Sequence, residues 1–215
     1  MNQKKKASYI AIAGNIGVGK TTLTKVLCNR YHWQAFLEKV VENPYLEDFY
    51  HNMQAWAFQS QVFFLKERLK DHHQIHFMKH TCVQDRTIFE DAEIFARNLF
   101  ERKIMTARDY AVYQELYEAV KGFLRYPDLI VYLRASAWTL ISRIRKRGRD
   151  YEQNIDKEYL LQLNKLYNEW VMAEAKQHQV LIVDTDNYDV EKDREWLESI
   201  VAEIGKLAGE SRSKT

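Results

Sequence analysis

The eight residues Gly14-Asn15-Ile16-Gly17-Val18-Gly19-Lys20-Thr21 bring together three of the chain's seven glycines, a lysine and a hydroxyl. Glycine tolerates positive φ and lets backbone N–H groups approach an anion closely. A helix opening at this point would aim its unpaired N–H groups and positive dipole end at the same anion. Lys20 can bridge β- and γ-phosphates, and the Thr21 hydroxyl can ligate Mg²⁺. The pattern Gly14-x4-Gly19-Lys20-Thr21 is complete, so the loop reads as a nucleoside triphosphate cradle, with Asn15, Val18 and Thr22 completing its contacts.

Other spacings suggest what faces that triphosphate. Arg143 to Arg149 carries five basic residues in seven positions, and Arg143 and Arg147 are four apart, on one face of a helix. Arg68 lies two helical turns after Gln61, and Phe95 one turn after Asp91, so each pair shares a face. An Asp85-Arg86 pair follows the apolar run at Cys82.

Strands and helices must position these groups. Short apolar runs predict strands at Tyr9–Ala13, ending at Val40–Glu42, and at Cys82–Asp85, Asp128–Leu133 and Val180–Asp184. Helical spacing fills Thr21–Tyr31 and the stretch from Asn52 to His73, with Trp56, Phe58, Phe63 and Leu65 on its packed side. Pro44 and Pro127 fall where elements should begin or end. Buried strands separated by helices predict an α/β, doubly wound, P-loop NTPase-type fold with a five-stranded parallel sheet. No repeat or linker marks a second domain, so residues 1–215 are expected to form one, with residues 1–7 disordered and a lid at 143–153.

A net charge of +2 offers no global field for nucleic acid or membrane. No apolar run approaches the roughly 20 residues of a bilayer span, and the lysine-rich start lacks the apolar core of a secretory signal. A cytoplasmic location is expected. Cys28 and Cys82 have no CxxC partner and read as reduced thiols. Four histidines between Asp71 and His80 read as a polar helix end rather than a metal site. There is no NKxD guanine motif.

After the glycine loop come, in order, "VVENP" (Val40–Pro44), "WAFQSQ" (Trp56–Gln61), "DRTIFED" (Asp85–Asp91) and "RIRKRGRDYEQ" (Arg143–Gln153). With these motifs the chain, from Tyr9 to about Asp189, resembles the deoxynucleoside kinase family. The resemblance implies ATP as donor with Mg²⁺, and Glu42 as the general base facing the nucleoside 5′-hydroxyl. Arg86 would clamp that acid and the incoming phosphate, and Arg143 and Arg147 would close over the transferring phosphoryl group. Gln61, Arg68 and Asp91 would read the base while Phe95 stacks on it, and Tyr50 and Glu152 would hold the 3′-hydroxyl. Family members commonly have Glu-Arg-Ser where this chain has Asp85-Arg86-Thr87, so Asp85 would meet the metal directly or through water.

The Arg68–Asp91 pair resembles members that use deoxycytidine or purine deoxynucleosides, and "ENPYLEDFY" resembles the bacterial purine-preferring ones. Deoxyadenosine is the favoured substrate, with deoxyguanosine and deoxycytidine open. A homodimer through Met53–Leu69 and Ala107–Phe123 is also implied, as is the donor adenine near Asp184–Val190. The alternatives are a thymidylate-like nucleoside monophosphate kinase, whose acceptor phosphate Glu42 would repel, and a P-loop nucleotide switch or nucleic-acid-binding protein.

Overall fold

The computed structural model describes residues 7–39, 42–152, 155–188 and 193–210. Five strands, β1 (Tyr9–Gly14), β2 (Gln34–Phe36), β3 (Cys82–Asp85), β4 (Leu129–Arg134) and β5 (Val180–Asp184), form one sheet in the order β2-β3-β1-β4-β5. Every pairing is parallel, with Ile12 opposite Asp85 on one side of β1 and opposite Val131 on the other. All six β1 residues are buried, as expected of a central strand covered on both faces. The P-loop NTPase-type α/β fold expected from the strand pattern is the one observed.

Helices α1 (Lys20–Tyr31), α2 (Leu46–His51), α3 (Met53–Phe77), α4 (Ile88–Glu90), α5 (Arg97–Glu101), α6 (Ala107–Lys121), α7 (Ala137–Arg147), α8 (Lys157–Glu174) and α9 (Arg194–Leu207) surround the sheet. Between α4 and α5 the chain widens into a π-helical segment, Asp91–Ala96. Local signals set the boundaries: Asn52, Thr106 and Ser136 side chains cap α3, α6 and α7. Gly148 ends α7 in the left-handed conformation, φ 74°.

Two expectations about elements are corrected. The second strand is Gln34–Phe36, not a run ending at Val40–Glu42: Val40 and Val41 lie outside the described residues, and Glu42 sits in a turn. The expectation rested on the apolar Val-Val pair, whereas the strand that pairs with β3, with Ala35 opposite Val83, is the earlier one. On α3 the buried stripe is not aromatic. Trp56, Phe58 and Phe63 are half-buried, while Ser60, Gln61, Glu67, Arg68, Asp71 and His72 are buried. Ser60 and Gln61 line a cavity, while Glu67, Arg68 and His72 are buried against polar partners: Lys39 and Lys70, Glu38 and Asp91, and the Arg125 carbonyl. The disorder expected for 1–7 falls on residues outside those described, apart from Ala7, as does Gln153 of the lid.

Candidate active site

The C-terminal ends of β1, β2 and β3 meet at one edge, where parallel α/β sheets collect their ligands. A cavity of about 1150 Å³ opens there. Its floor is the P-loop. Gly17 and Gly19 take φ of 82° and 106°, and α1 begins with no side-chain cap and no acidic residue in its first turn. Its first N–H groups therefore remain available to an anion. At Gly17 a Cβ would meet Ile144 Cγ1 at 2.8 Å, so this glycine also lets α7 pack directly on the loop.

Lys20 is buried in the loop and donates to the Asn15 carbonyl at 3.0 Å. Burial lowers its pKa to about 8, with Arg86 adding to the effect and Asp85 and Glu38 opposing it. The Thr21 hydroxyl donates to Asp85 at 2.5 Å. The other Asp85 oxygen, Oδ1, is buried without a hydrogen-bond partner. A hydroxyl beside an unpartnered carboxylate oxygen is the kind of all-oxygen donor set a hard divalent cation takes, with phosphates and waters completing its shell. Thr21 and Asp85 thus fit Mg²⁺.

The acid brought to the centre is Glu38, not Glu42. β2 ends at Phe36, which places Glu38 two residues beyond the sheet edge, lining the cavity. Arg86 donates to Glu38 Oε1 at 2.8 Å and Arg68 donates to the same oxygen at 3.0 Å. Burial pushes the Glu38 carboxyl up, but Arg86, Arg68 and Lys20 together hold it below its ordinary value. Glu42 is exposed in the turn that follows. The neighbouring Asn43 gives this stretch its structural role: it is buried, donates to Ser60 on α3 at 3.1 Å and accepts from the Tyr45 N–H at 3.0 Å. Two acids four residues apart were both available in the sequence, and the misplaced strand pointed to the one that does not line the cavity.

Arg86 takes φ 65°, a left-handed conformation that swings the chain off β3. Its guanidinium lies 4.0 Å from the centroid of the Phe95 ring, so Phe95 and Arg86 share one wall. Gln61 also lines the cavity, and its Oε1 is buried without a hydrogen-bond partner. Arg68 and Asp91 form a buried pair at 3.3 Å. Burial raises the Asp91 pKa, opposed by Arg68. The π-helical segment widens the turn between Asp91 and Phe95, so Asp91 faces Arg68 while Phe95 faces Arg86.

The basic run is engaged on two sides. Arg143 donates to the Thr185 and Tyr188 carbonyls at 2.5 and 2.6 Å. Arg147 and Arg149 both bond Glu152, the latter at 3.2 Å. Tyr50 stacks on Tyr151, with ring centroids 5.6 Å apart. Tyr50, Glu152, Arg143, Arg147 and Arg149 all line the cavity, as do Asp186, Asn187 and Tyr188 of the β5 loop; Asp189 and Val190 lie outside the described residues. Trp138 at the start of α7, unmarked by any spacing in the sequence, lines it too.

Elsewhere, Cys28 and Cys82 are free, with burial raising their pKa values to about 11 and about 12. His72 is buried, not part of a polar helix end: its Nε2 meets the Arg125 carbonyl at 2.9 Å. Among the described residues, no metal-binding group of three or more His, Cys, Asp or Glu occurs and no helix is long and apolar enough to cross a membrane.

Known proteins resemble this chain over most of its length. The family model described as "Deoxynucleoside kinase" matches residues 10–208. A deoxyadenosine/deoxycytidine kinase of Bacillus subtilis (strain 168) is 36% identical over 211 residues, 97% of each chain. A deoxyguanosine kinase of the same organism is 34% identical over 206 residues, covering 94% of this chain and 98% of its own. The structure of deoxyadenosine kinase from M. mycoides with bound dATP superposes with a TM-score of 0.80 at 32% identity, over 92% of this chain and 99% of that one. The chain belongs to the deoxynucleoside kinase family.

Proposed function

We propose that this chain transfers the γ-phosphoryl group of ATP to the 5′-hydroxyl of a deoxynucleoside, with Glu38 as the general base. The observation that carries this reading is a carboxylate held ionised between two arginines at the lip of a P-loop. Glu38 accepts the 5′-hydroxyl proton, the oxygen bonds to the γ-phosphorus, and the bond from that phosphorus to the β-phosphate oxygen breaks. Lys20, Arg143 and Arg147 line the cavity as the cations that offset charge on the transferring group. Mg²⁺, held by Thr21 and Asp85, would supply further charge neutralisation at the phosphates.

For the acceptor, the unpartnered Gln61 Oε1 and the Phe95 ring support base recognition, and Tyr50 and Glu152 support capture of the 3′-hydroxyl. Asp91, bonded to Arg68, completes the base-reading set. Deoxyadenosine is the first choice of base, with deoxyguanosine and deoxycytidine next. Trp138 and the β5 loop are assigned to the donor base. Helix α6 buries Tyr113 and Tyr117 but leaves Val112 and Leu116 exposed, as is Phe123 just beyond its end, which supports a homodimer through α3 and α6. We place the enzyme in the cytoplasm, as one domain acting without nucleic acid or membrane.

The test is ATP turnover with deoxyadenosine, deoxyguanosine, deoxycytidine and thymidine in parallel with dAMP and dTMP. Turnover with the nucleosides supports the proposal and ranks the bases. Turnover confined to the monophosphates overturns it.

A further inference from the structure

Glu90 has no part in the chemistry above, yet its carboxylate is fully buried and bonded on both oxygens. Oε2 accepts from the Thr87 N–H at 2.9 Å and the Thr87 hydroxyl at 3.2 Å, the reciprocal contact of a capping box. Capping accounts for that oxygen alone. Oε1 points the other way, accepting from the Gly14 N–H at 3.3 Å and from the Tyr167 hydroxyl on α8 at 2.9 Å.

The backbone explains why a side chain is needed there. Along β1 the ladder toward β3 runs out at Ile12, whose carbonyl accepts from Arg86 N–H at 3.1 Å. The next N–H on that side of β1 belongs to Gly14, but the left-handed Arg86 has already turned the chain away from the sheet. Gly14 itself has φ 147°, and a Cβ there would meet the Leu133 carbonyl at 2.6 Å and Val18 Cγ1 at 2.9 Å. The first residue of the P-loop therefore cannot be propped by a side chain of its own. The Glu90 carboxylate stands in for the missing strand carbonyl.

We propose that Glu90 is a positioning residue for the donor site: it fixes the root of the P-loop at Gly14 and ties it to the Arg86–Thr87 turn. This rests on the reading of the glycine loop as the ATP-phosphate cradle. Glu90→Gln keeps the shape but offers an amide N–H₂ to one of two sets of donors. Glu90→Asp keeps the charge but is too short to serve both Thr87 and Gly14.

The experiment is initial-rate kinetics on both variants, with ATP and the deoxynucleoside varied separately, alongside thermal melting and deoxynucleoside binding measured without ATP. For each variant that folds, KM for ATP is expected to rise roughly tenfold or more, the scale of a lost hydrogen bond to a charged group. Deoxynucleoside affinity should stay within about twofold of wild type. A purely structural role would lower the melting temperature and leave KM for ATP unchanged, which overturns the proposal. Should Glu90→Gln not fold, Glu90→Asp decides by the same criterion. A wild-type enzyme that does not saturate with ATP would instead overturn the reading of the cradle, and this proposal with it.

Discussion

Arg86 and Arg68 approach Glu38 from two elements and donate to one oxygen, Oε1, at 2.8 and 3.0 Å. Both arginine contacts fall on Oε1, so the carboxylate is anchored through one atom, and Glu38 lines the cavity. An acid held this way is ionised, oriented and still able to accept a proton.

Glu38→Gln is expected to lower kcat by roughly 10²- to 10⁴-fold, the usual worth of a general base. Glu42→Gln should stay within about twofold of wild type, because Glu42 is exposed in the turn. Steady-state kinetics of the two variants side by side would decide. The reverse ranking would restore Glu42 as the base.

The pH profile should be limited by Lys20 on the alkaline side. Burial lowers its pKa to about 8, so its charge is lost as pH rises through that value. In the free enzyme kcat/KM for ATP should therefore fall above about pH 8. Glu38 is held below its ordinary value, so the base stays ionised at neutral pH and the acid limb lies lower than for an unperturbed carboxylate. A profile of kcat/KM that stays flat well above pH 8 would contradict the Lys20 assignment.

Arg68→Met should destabilise the fold by roughly 3–5 kcal/mol, because it leaves Asp91 buried without its ion-pair partner. Urea unfolding would measure this. A loss below about 1 kcal/mol would mean that the site is wet enough to solvate Asp91 alone.

Leu116→Asp places a charge in the middle of the exposed α6 face. Light scattering after size exclusion should show a dimer for the wild-type chain and a shift toward monomer for this variant. Wild-type protein that stays monomeric at high micromolar concentration would remove the proposed interface.

What the sequence determined alone was local. The P-loop is legible because its chemistry depends on adjacent residues: glycines for positive φ, then a lysine and a hydroxyl at the first helical turn. β3 at Cys82–Asp85 and β5 at Val180–Asp184 were legible as short apolar runs. The tertiary structure decided whatever depends on register. Whether Glu38 or Glu42 reaches the sheet edge turns on where β2 pairs with β3, and the apolar Val40-Val41 pair concealed that. The polar buried face of α3 was hidden for a related reason: hydrophobic periodicity finds the core, whereas Gln61 is buried against the cavity and Arg68 against Glu38 and Asp91, partners distant in sequence. Glu90 could be read from the sequence as the third position of a capping box. That its second oxygen holds Gly14 follows only from the turn at Arg86, which brings residues 76 positions apart into one hydrogen bond.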